Sequence, residues 1–268
     1  MRTAPELPLR NAALPGGDVS YIDHGAGTPI VLIHGSLCDC RYWTPQMAQL
    51  GRGWRVLALS LRRYWPEQWD GMGAGFSLAE HAEQVQDFVE RVAGGPAHLV
   101  GHSRGGRIAL EAALHRPDLV RTLTLADPGL PVPGQPDQRG DFRSQALERI
   151  QAGAVDEGLA LFIDAVTGPD TWRRMVPWFK DMVRDNAATL LGQARETPAP
   201  VDEGALQVLG LPTLLIGGAL SPQPYPAVLD WLERTLPCTD RQTIAGSSHG
   251  MNLGNPRAFN RAIEDFLA

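Results

Sequence analysis

Ser103 is the residue of this sequence best placed to act as a nucleophile. It stands in Gly101-His102-Ser103-Arg104-Gly105, after the apolar run Ala97-His98-Leu99-Val100 and before residues 105–114, whose apolar spacing is helical. A strand that turns sharply into a helix at Ser103 holds the hydroxyl clear of the sheet and leaves the Arg104 amide pointing at whatever that hydroxyl attacks. Such a turn needs small neighbours on both flanks, because a Cβ there would collide with the adjacent strand or helix. Gly101 and Gly105 meet that need. The chemistry implied is acyl transfer through a covalent serine intermediate.

Taken together, His34-Gly35 after an earlier apolar run, Ser103 in its elbow and His249 near the C-terminus resemble the α/β-hydrolase family, and the likeness covers almost the whole chain. The resemblance implies an α/β fold: a mostly parallel central sheet flanked by helices, with an all-helical cap inserted between two strands. Residues 1–127 and 206–268 would form the core and 128–205 the cap. It also implies an oxyanion hole made by the backbone N–H groups of Ser36, just after the His-Gly pair, and of Arg104. The ring of His34 itself is expected only to brace its loop. His249 alone of the seven histidines stands on a small-residue loop past the final strand pattern, Gly246-Ser247-Ser248-His249-Gly250, where the family keeps its catalytic histidine.

A serine triad needs an anion that fixes the histidine tautomer and stabilises the imidazolium. In most relatives that acid follows the strand read here as residues 211–217, yet the chain continues Gly218-Ala219-Leu220-Ser221-Pro222, with no carboxylate. Ser221 takes the acid's usual place, and a hydroxyl cannot balance an imidazolium charge. Asp127, at the end of the strand after the elbow, is the substitute, since strand ends on the carboxyl side of a parallel sheet converge on the ligand crevice. The competing reading is that Asp127-Pro128 merely opens a turn.

The elements that must position these residues follow from pattern. Residues 18–25 alternate as a strand, and Pro29 to Ile33 is an apolar run of the kind buried on both faces of a parallel sheet. A helix is expected from Trp43 to Leu50, a strand from Trp54 to Leu61, and a helix through Leu78 to Val92 with Ser77 and Glu80 as its capping box. The elbow helix should stop at His115-Arg116-Pro117, followed by the strand Val120 to Ala126. Pro131, Pro133, Gly134 and Pro136 read as a linker, then helices at about 141–152, 155–166 and 170–191. Tyr225 to Leu236 reads as a helix, Arg241 to Ala245 as the last strand, and Asn255-Pro256 opens the closing helix to Leu267.

The loop of residues 61–77 keeps only Gly73, Gly75 and Ser77 of a turn common in the family. Its Tyr64, Trp65 and Trp69 either line an entrance or pack on the adjacent surface. Leu37, Tyr64, Trp65, Phe162, Trp172 and Trp178 are the candidate substrate-pocket residues.

With 268 residues the chain can bury roughly three quarters of its unfolded surface as one domain with an insertion. A net charge of -6 offers no basic surface for nucleic acid or anionic membrane, so the expected partner is a small-molecule substrate, and the protein a monomer or homodimer. No stretch of about 18 apolar residues and no signal-like N-terminus are present, which points to a soluble cytoplasmic protein. Cys38, Cys40 and Cys238 are too few and too poorly spaced for a disulfide framework or a metal site, and no cofactor is implied. Lys180 is the only lysine, so Schiff-base chemistry is restricted to that position.

The reading reached is a serine hydrolase, carboxylesterase-like, acting on an ester of an apolar or aromatic acid. Two others share the residues: a cofactor-free ring-cleaving dioxygenase using the His-Asp pair, and a hydrolase of carbon–carbon bonds or lactones. A non-catalytic binding protein would not require the full Ser, His and Asp set, and a serine at the elbow disfavours epoxide and haloalkane chemistry.

Overall fold

The chain opens with an antiparallel pair, β1 Leu9–Leu14 and β2 Gly17–His24, and then lays down parallel strands as its apolar runs dictate. These are β3 Pro29–Ile33, β4 Arg55–Leu59, β5 Ala97–His102, β6 Val120–Ala126, β7 Thr213–Gly218 and β8 Thr239–Ile244. The computed structural model describes residues 7–134, 140–197 and 200–268; Met1 to Glu6 and Pro136 of the expected linker lie outside these. Among the described residues the sheet has the order β1-β2-β4-β3-β5-β6-β7-β8, parallel from β4 through β8.

Alternation along the central strands explains how both faces are covered. Val31, Ile33, Leu57, Leu59, Leu99 and Leu125 pack into one core cluster, whereas Ile30, Leu32, Val56, Ala58, Val100 and Ala126 pack into the other. The first face is closed by α2 Leu78–Phe88, α3 Arg104–His115 and α10 Tyr225–Thr235, through residues such as Phe88, Ile108 and Val228. The second is closed by α1 Thr44–Leu50 and α12 Pro256–Leu267, through Met47, Leu50, Phe259 and Ile263. The remaining helices are α4 Gly140–Gln151, α5 Val155–Thr167, α6 Thr171–Arg174, α7 Pro177–Asp185, α8 Thr189–Arg195, α9 Glu203–Gln207 and α11 Met251–Gly254.

Helices α4 to α8 fall between β6 and β7, and no strand of the sheet interrupts them. They are tied to loops at the carboxyl ends of the strands. Asn186 Nδ2 donates to the fully buried Asp39 at 2.7 Å, Asn186 Oδ1 accepts from the Trp65 amide at 2.8 Å, and Ser248 Oγ donates to the Thr167 carbonyl at 2.7 Å.

The sequence pattern and the structure part company in a few places. The helix expected over 170–191 is three helices. Pro177 lacks the N–H to continue α6 and holds Val176 extended (φ -67°, ψ 150°), while Asn186 leaves the helix to turn its side chain inward onto Asp39. The strand expected from Trp54 to Leu61 is confined to β4, and the helix expected to reach Val92 ends as an α-helix at Phe88, continuing as a wider turn over Val89–Ala93. Strand β1 and the short helices α9 and α11 carry no periodicity that announced them.

Candidate active site

The strand–turn–helix around Ser103 is set by close approach. A Cβ on Gly101 would stand 2.3 Å from the Gly105 carbonyl oxygen, and one on Gly105 would stand 2.2 Å from that of Ile33, so α3 lies against β5 and β3 only because both side chains are absent. Ser103 is held at φ 54°, ψ -120°, a conformation that non-glycine residues rarely adopt and that the surrounding contacts must impose. Its amide donates to the Ala126 carbonyl at 3.0 Å, and its carbonyl accepts from the Gly129 amide at 2.8 Å, so the residues flanking Asp127 pin the turn from the neighbouring strand.

Asp127 follows β6 with φ 40° and is fully buried. Its Oδ2 stands 3.3 Å from Nδ1 of His249, which lies on the loop after β8 and is 3% exposed. The same Oδ2 accepts from Ser221 Oγ at 2.5 Å. Ser221, in the loop after β7, is therefore neither idle nor a substitute acid: it donates to the carboxylate that faces the histidine. With Nδ1–H directed at Asp127, the free lone pair of His249 is on Nε2.

Two neighbours position His249 that sequence reasoning did not single out. The Tyr225 ring, from the first turn of α10, stacks on the imidazole at 3.9 Å between centroids and 15° between planes. His102, the second residue of the pentapeptide, donates from Nε2 to the His249 backbone carbonyl at 2.7 Å. Burial pushes the His102 imidazole well below its usual range, so it stays neutral and keeps this donor role. His102 was accessible from the motif that contains it; nothing marks Tyr225 except the tertiary fold.

The ring of His34 sits beneath the loop, with Nδ1 donating to the Gly35 carbonyl at 2.9 Å and Nε2 accepting from the Leu61 amide at 3.0 Å. Burial lowers its pKa to about 4. This ring braces two strand-end loops and takes no part in the cavity.

A cavity of about 800 Å³ opens beside Ser103 and includes Ser36, Arg104 and Tyr225 in its wall. Of the six aromatic and aliphatic candidates, Phe162 lines it and the other five are placed elsewhere. Leu37 is fully buried in the sheet core, and Tyr64 is buried against His34 at 4.7 Å between ring centroids. Trp65 lies under the Arg41 guanidinium at 3.8 Å, Trp172 lies 5.1 Å from the Lys180 ammonium, and Trp178 packs edge-on against Phe179. Instead of a wholly apolar wall, the cavity combines Leu147, Phe162 and Leu190 with Arg104, Arg107 and Glu196.

Arg104 begins α3, so its N–H has no acceptor within the helix and stands at the positive end of the helix dipole. Its guanidinium pairs with Glu196 through two bonds, Nη1 to Oε2 at 2.6 Å and Nη2 to Oε1 at 2.5 Å. Among the described residues no cluster of three or more His, Cys, Asp or Glu could hold a metal ion, and no helix is long and apolar enough to cross a membrane.

Comparison with known proteins agrees with this architecture. Residues 30–262 match the sequence profile of the alpha/beta hydrolase family. The chain is 26% identical over 264 residues to a putative carbamate hydrolase, RutD, of Variovorax paradoxus, covering 92% of this chain and 95% of that one. It is 29% identical over 280 residues to a 2-(acetamidomethylene)succinate hydrolase of Mesorhizobium japonicum, covering 91% and 90%. Its fold is similar to the crystal structure of the carboxylesterase CesB (YbfK) from Bacillus subtilis, with a TM-score of 0.80, 18% identity, and coverage of 99% of this chain and 93% of that chain. Elbow, sheet order and matched profile together establish that this chain belongs to the alpha/beta hydrolase family and is a hydrolase.

Proposed function

We propose that the protein is a serine hydrolase that cleaves an ester through a Ser103-His249-Asp127 triad. The observation that carries this reading is the buried Asp127 carboxylate facing His249 Nδ1, which leaves Nε2 as the base. His249 Nε2 takes the Ser103 proton as Oγ adds to the ester carbonyl carbon, and the carbonyl oxygen becomes an alkoxide received by the amides of Ser36 and Arg104. Collapse breaks the carbon–oxygen bond to the alcohol, which leaves with the proton from His249. Water, deprotonated by the same nitrogen, then adds to the acyl-enzyme and releases the acid and free Ser103.

Leu147, Phe162 and Leu190 give the cavity an apolar side suited to an apolar or aromatic acyl group. Asp127 acts as the acid in place of a residue after β7, and Ser221 supports it through the bond to Oδ2. A monomer or homodimer acting on a small molecule in the cytoplasm completes the reading, with 128–205 as the cap over the site.

The test is labelling with a fluorophosphonate probe and turnover of p-nitrophenyl esters of graded chain length, alongside Ser103→Ala. Covalent modification at Ser103 in the parent, with both signals lost in the variant, is the expected result. A parent that neither labels nor turns over any ester, but consumes oxygen with aromatic hydroxyl substrates, would replace this reading with the dioxygenase one.

A further inference from the structure

Ser36 and Arg104 come from different loops, one after β3 and one at the start of α3. Their amides form a single oxyanion hole only if those loops keep a fixed separation. Each residue also has a polar side chain, and both side chains reach the same short stretch of the helical insertion. Ser36 Oγ donates to Gln193 Oε1 at 2.8 Å, and the Arg104 guanidinium donates to both carboxylate oxygens of Glu196 at 2.5 and 2.6 Å. Gln193 belongs to α8 and Glu196 caps it, three positions apart and so on one face of the helix.

These bonds are sheltered. The Arg104 and Glu196 side chains are 9% and 6% exposed, and the guanidinium is further enclosed by the Phe76 ring at 5.1 Å and by Nδ1 of His81 at 3.4 Å. A bidentate pair in such surroundings fixes orientation as well as distance. Gln193 turns its amide nitrogen toward the Tyr64 hydroxyl at 3.5 Å, which orients the oxygen that receives Ser36.

We propose that α8 clamps the oxyanion hole, with Gln193 and Glu196 as positioning residues that hold the Ser36 and Arg104 amides at their working separation through those residues' own side chains. Seating the insertion and assembling the hole are then one event: when α8 lifts, both donors lose their anchor. Gln193 and Glu196 also line the cavity beside Ser103, so their positioning role is told from binding of the acyl group by kcat and by affinity for an oxyanion mimic, not by KM. The inference rests on the reading that these two amides receive the oxyanion.

The experiment compares parent, Gln193→Ala and Glu196→Gln for kcat and KM on one p-nitrophenyl ester, and for inhibition by a trifluoromethyl ketone bearing the same acyl chain, whose hemiketal oxygen occupies the hole. The expected result is a kcat lower by about tenfold to a hundredfold, less than loss of a whole donor, with KM within about twofold and the ketone weakened by the same factor as kcat. Adding Ser36→Ala to Gln193→Ala is expected to cost nothing further, because both remove one contact. Should Glu196→Gln fail to fold, Gln193→Ala, at a half-buried position, carries the test. Unchanged kcat, or a rise in KM alone with ketone affinity intact, overturns the clamp. A parent that the fluorophosphonate does not label removes the catalytic reading and the clamp with it, a different outcome from a labelled parent whose variants match it.

Discussion

At the scale of residues, one carboxylate oxygen of the candidate site has two neighbours, a hydroxyl and an imidazole. Asp127 Oδ2 receives Ser221 Oγ at 2.5 Å and faces His249 Nδ1 at 3.3 Å. If Asp127 is the triad acid, Asp127→Asn lowers kcat by up to about 10⁴-fold with the fold intact, because the amide can present its N–H and favour the wrong tautomer of His249. An Asp127→Asn protein within about threefold of the parent, when His249→Ala is inactive, would remove Asp127 from the triad. Since residues 127 and 221 touch from adjacent strand ends, the exchange of Asp127→Ser combined with Ser221→Asp is expected to recover activity at least tenfold over Asp127→Ser alone. No recovery in a folded double variant would mean that the His249 ring is aimed for the end of β6 only, an orientation that Tyr225 stacking and the His102 bond would then enforce.

At the scale of elements, the elbow depends on how closely α3 approaches β3 and β5. Gly105→Ala places a methyl group 2.2 Å and 2.4 Å from the Ile33 and His34 carbonyl oxygens, which are backbone atoms of a central strand and its loop and have nowhere to go. We expect a loss of about 3 kcal/mol or more in urea unfolding, at the upper end of overpacking effects. Gly53→Ala, where nothing lies within 4 Å, should stay within about 0.5 kcal/mol of the parent. Since Gly→Ala by itself lowers the entropy of the unfolded chain and favours the fold, equal losses at the two positions would show that the close approach at Gly105 is not what costs stability. The same reasoning explains the insertion: Pro177 and Asn186 divide one amphipathic pattern into segments short enough for α8 to lie along the strand ends, where Gln193 and Glu196 meet Ser36 and Arg104.

Across the whole molecule, burial disfavours the charged form of three histidines. His34, His81 and His102 are all pushed down by burial, His34 to about 4 and the other two well below the usual 6.5. In the unfolded chain these rings titrate near 6.5, so below that pH the unfolded state binds more protons and the fold loses stability. The contribution is full above about pH 6.5 and is lost progressively as pH falls, through about 4 for His34 and further for the others. The unfolding free energy from urea titration, and with it the midpoint, should therefore drop between pH 7 and pH 5, the free energy with a steepest slope of at most about 4 kcal/mol per pH unit for three protons. A midpoint that stays level over that range would mean that the rings accept protons within the fold.

Much of the sheet is legible in the sequence, because β3, β5, β6 and β7 are short apolar runs and α2, α3, α10 and α12 carry a helical stripe between caps and prolines. The elbow was legible for a local reason: strand, two flanking glycines and helix lie within one short segment, and their steric requirement is written in residue type. His249 and Asp127 were legible as ends of strands. What the fold alone decided lies between residues far apart in the chain. Ser221 meets Asp127 across 94 positions, His102 meets His249 across 147, and Gln193 meets Ser36 across 157. Periodicity names the face of an element that is buried but not the partner buried against it, which is why Leu37, Tyr64, Trp65, Trp172 and Trp178 went to packing and ring contacts while Phe162 reached the cavity.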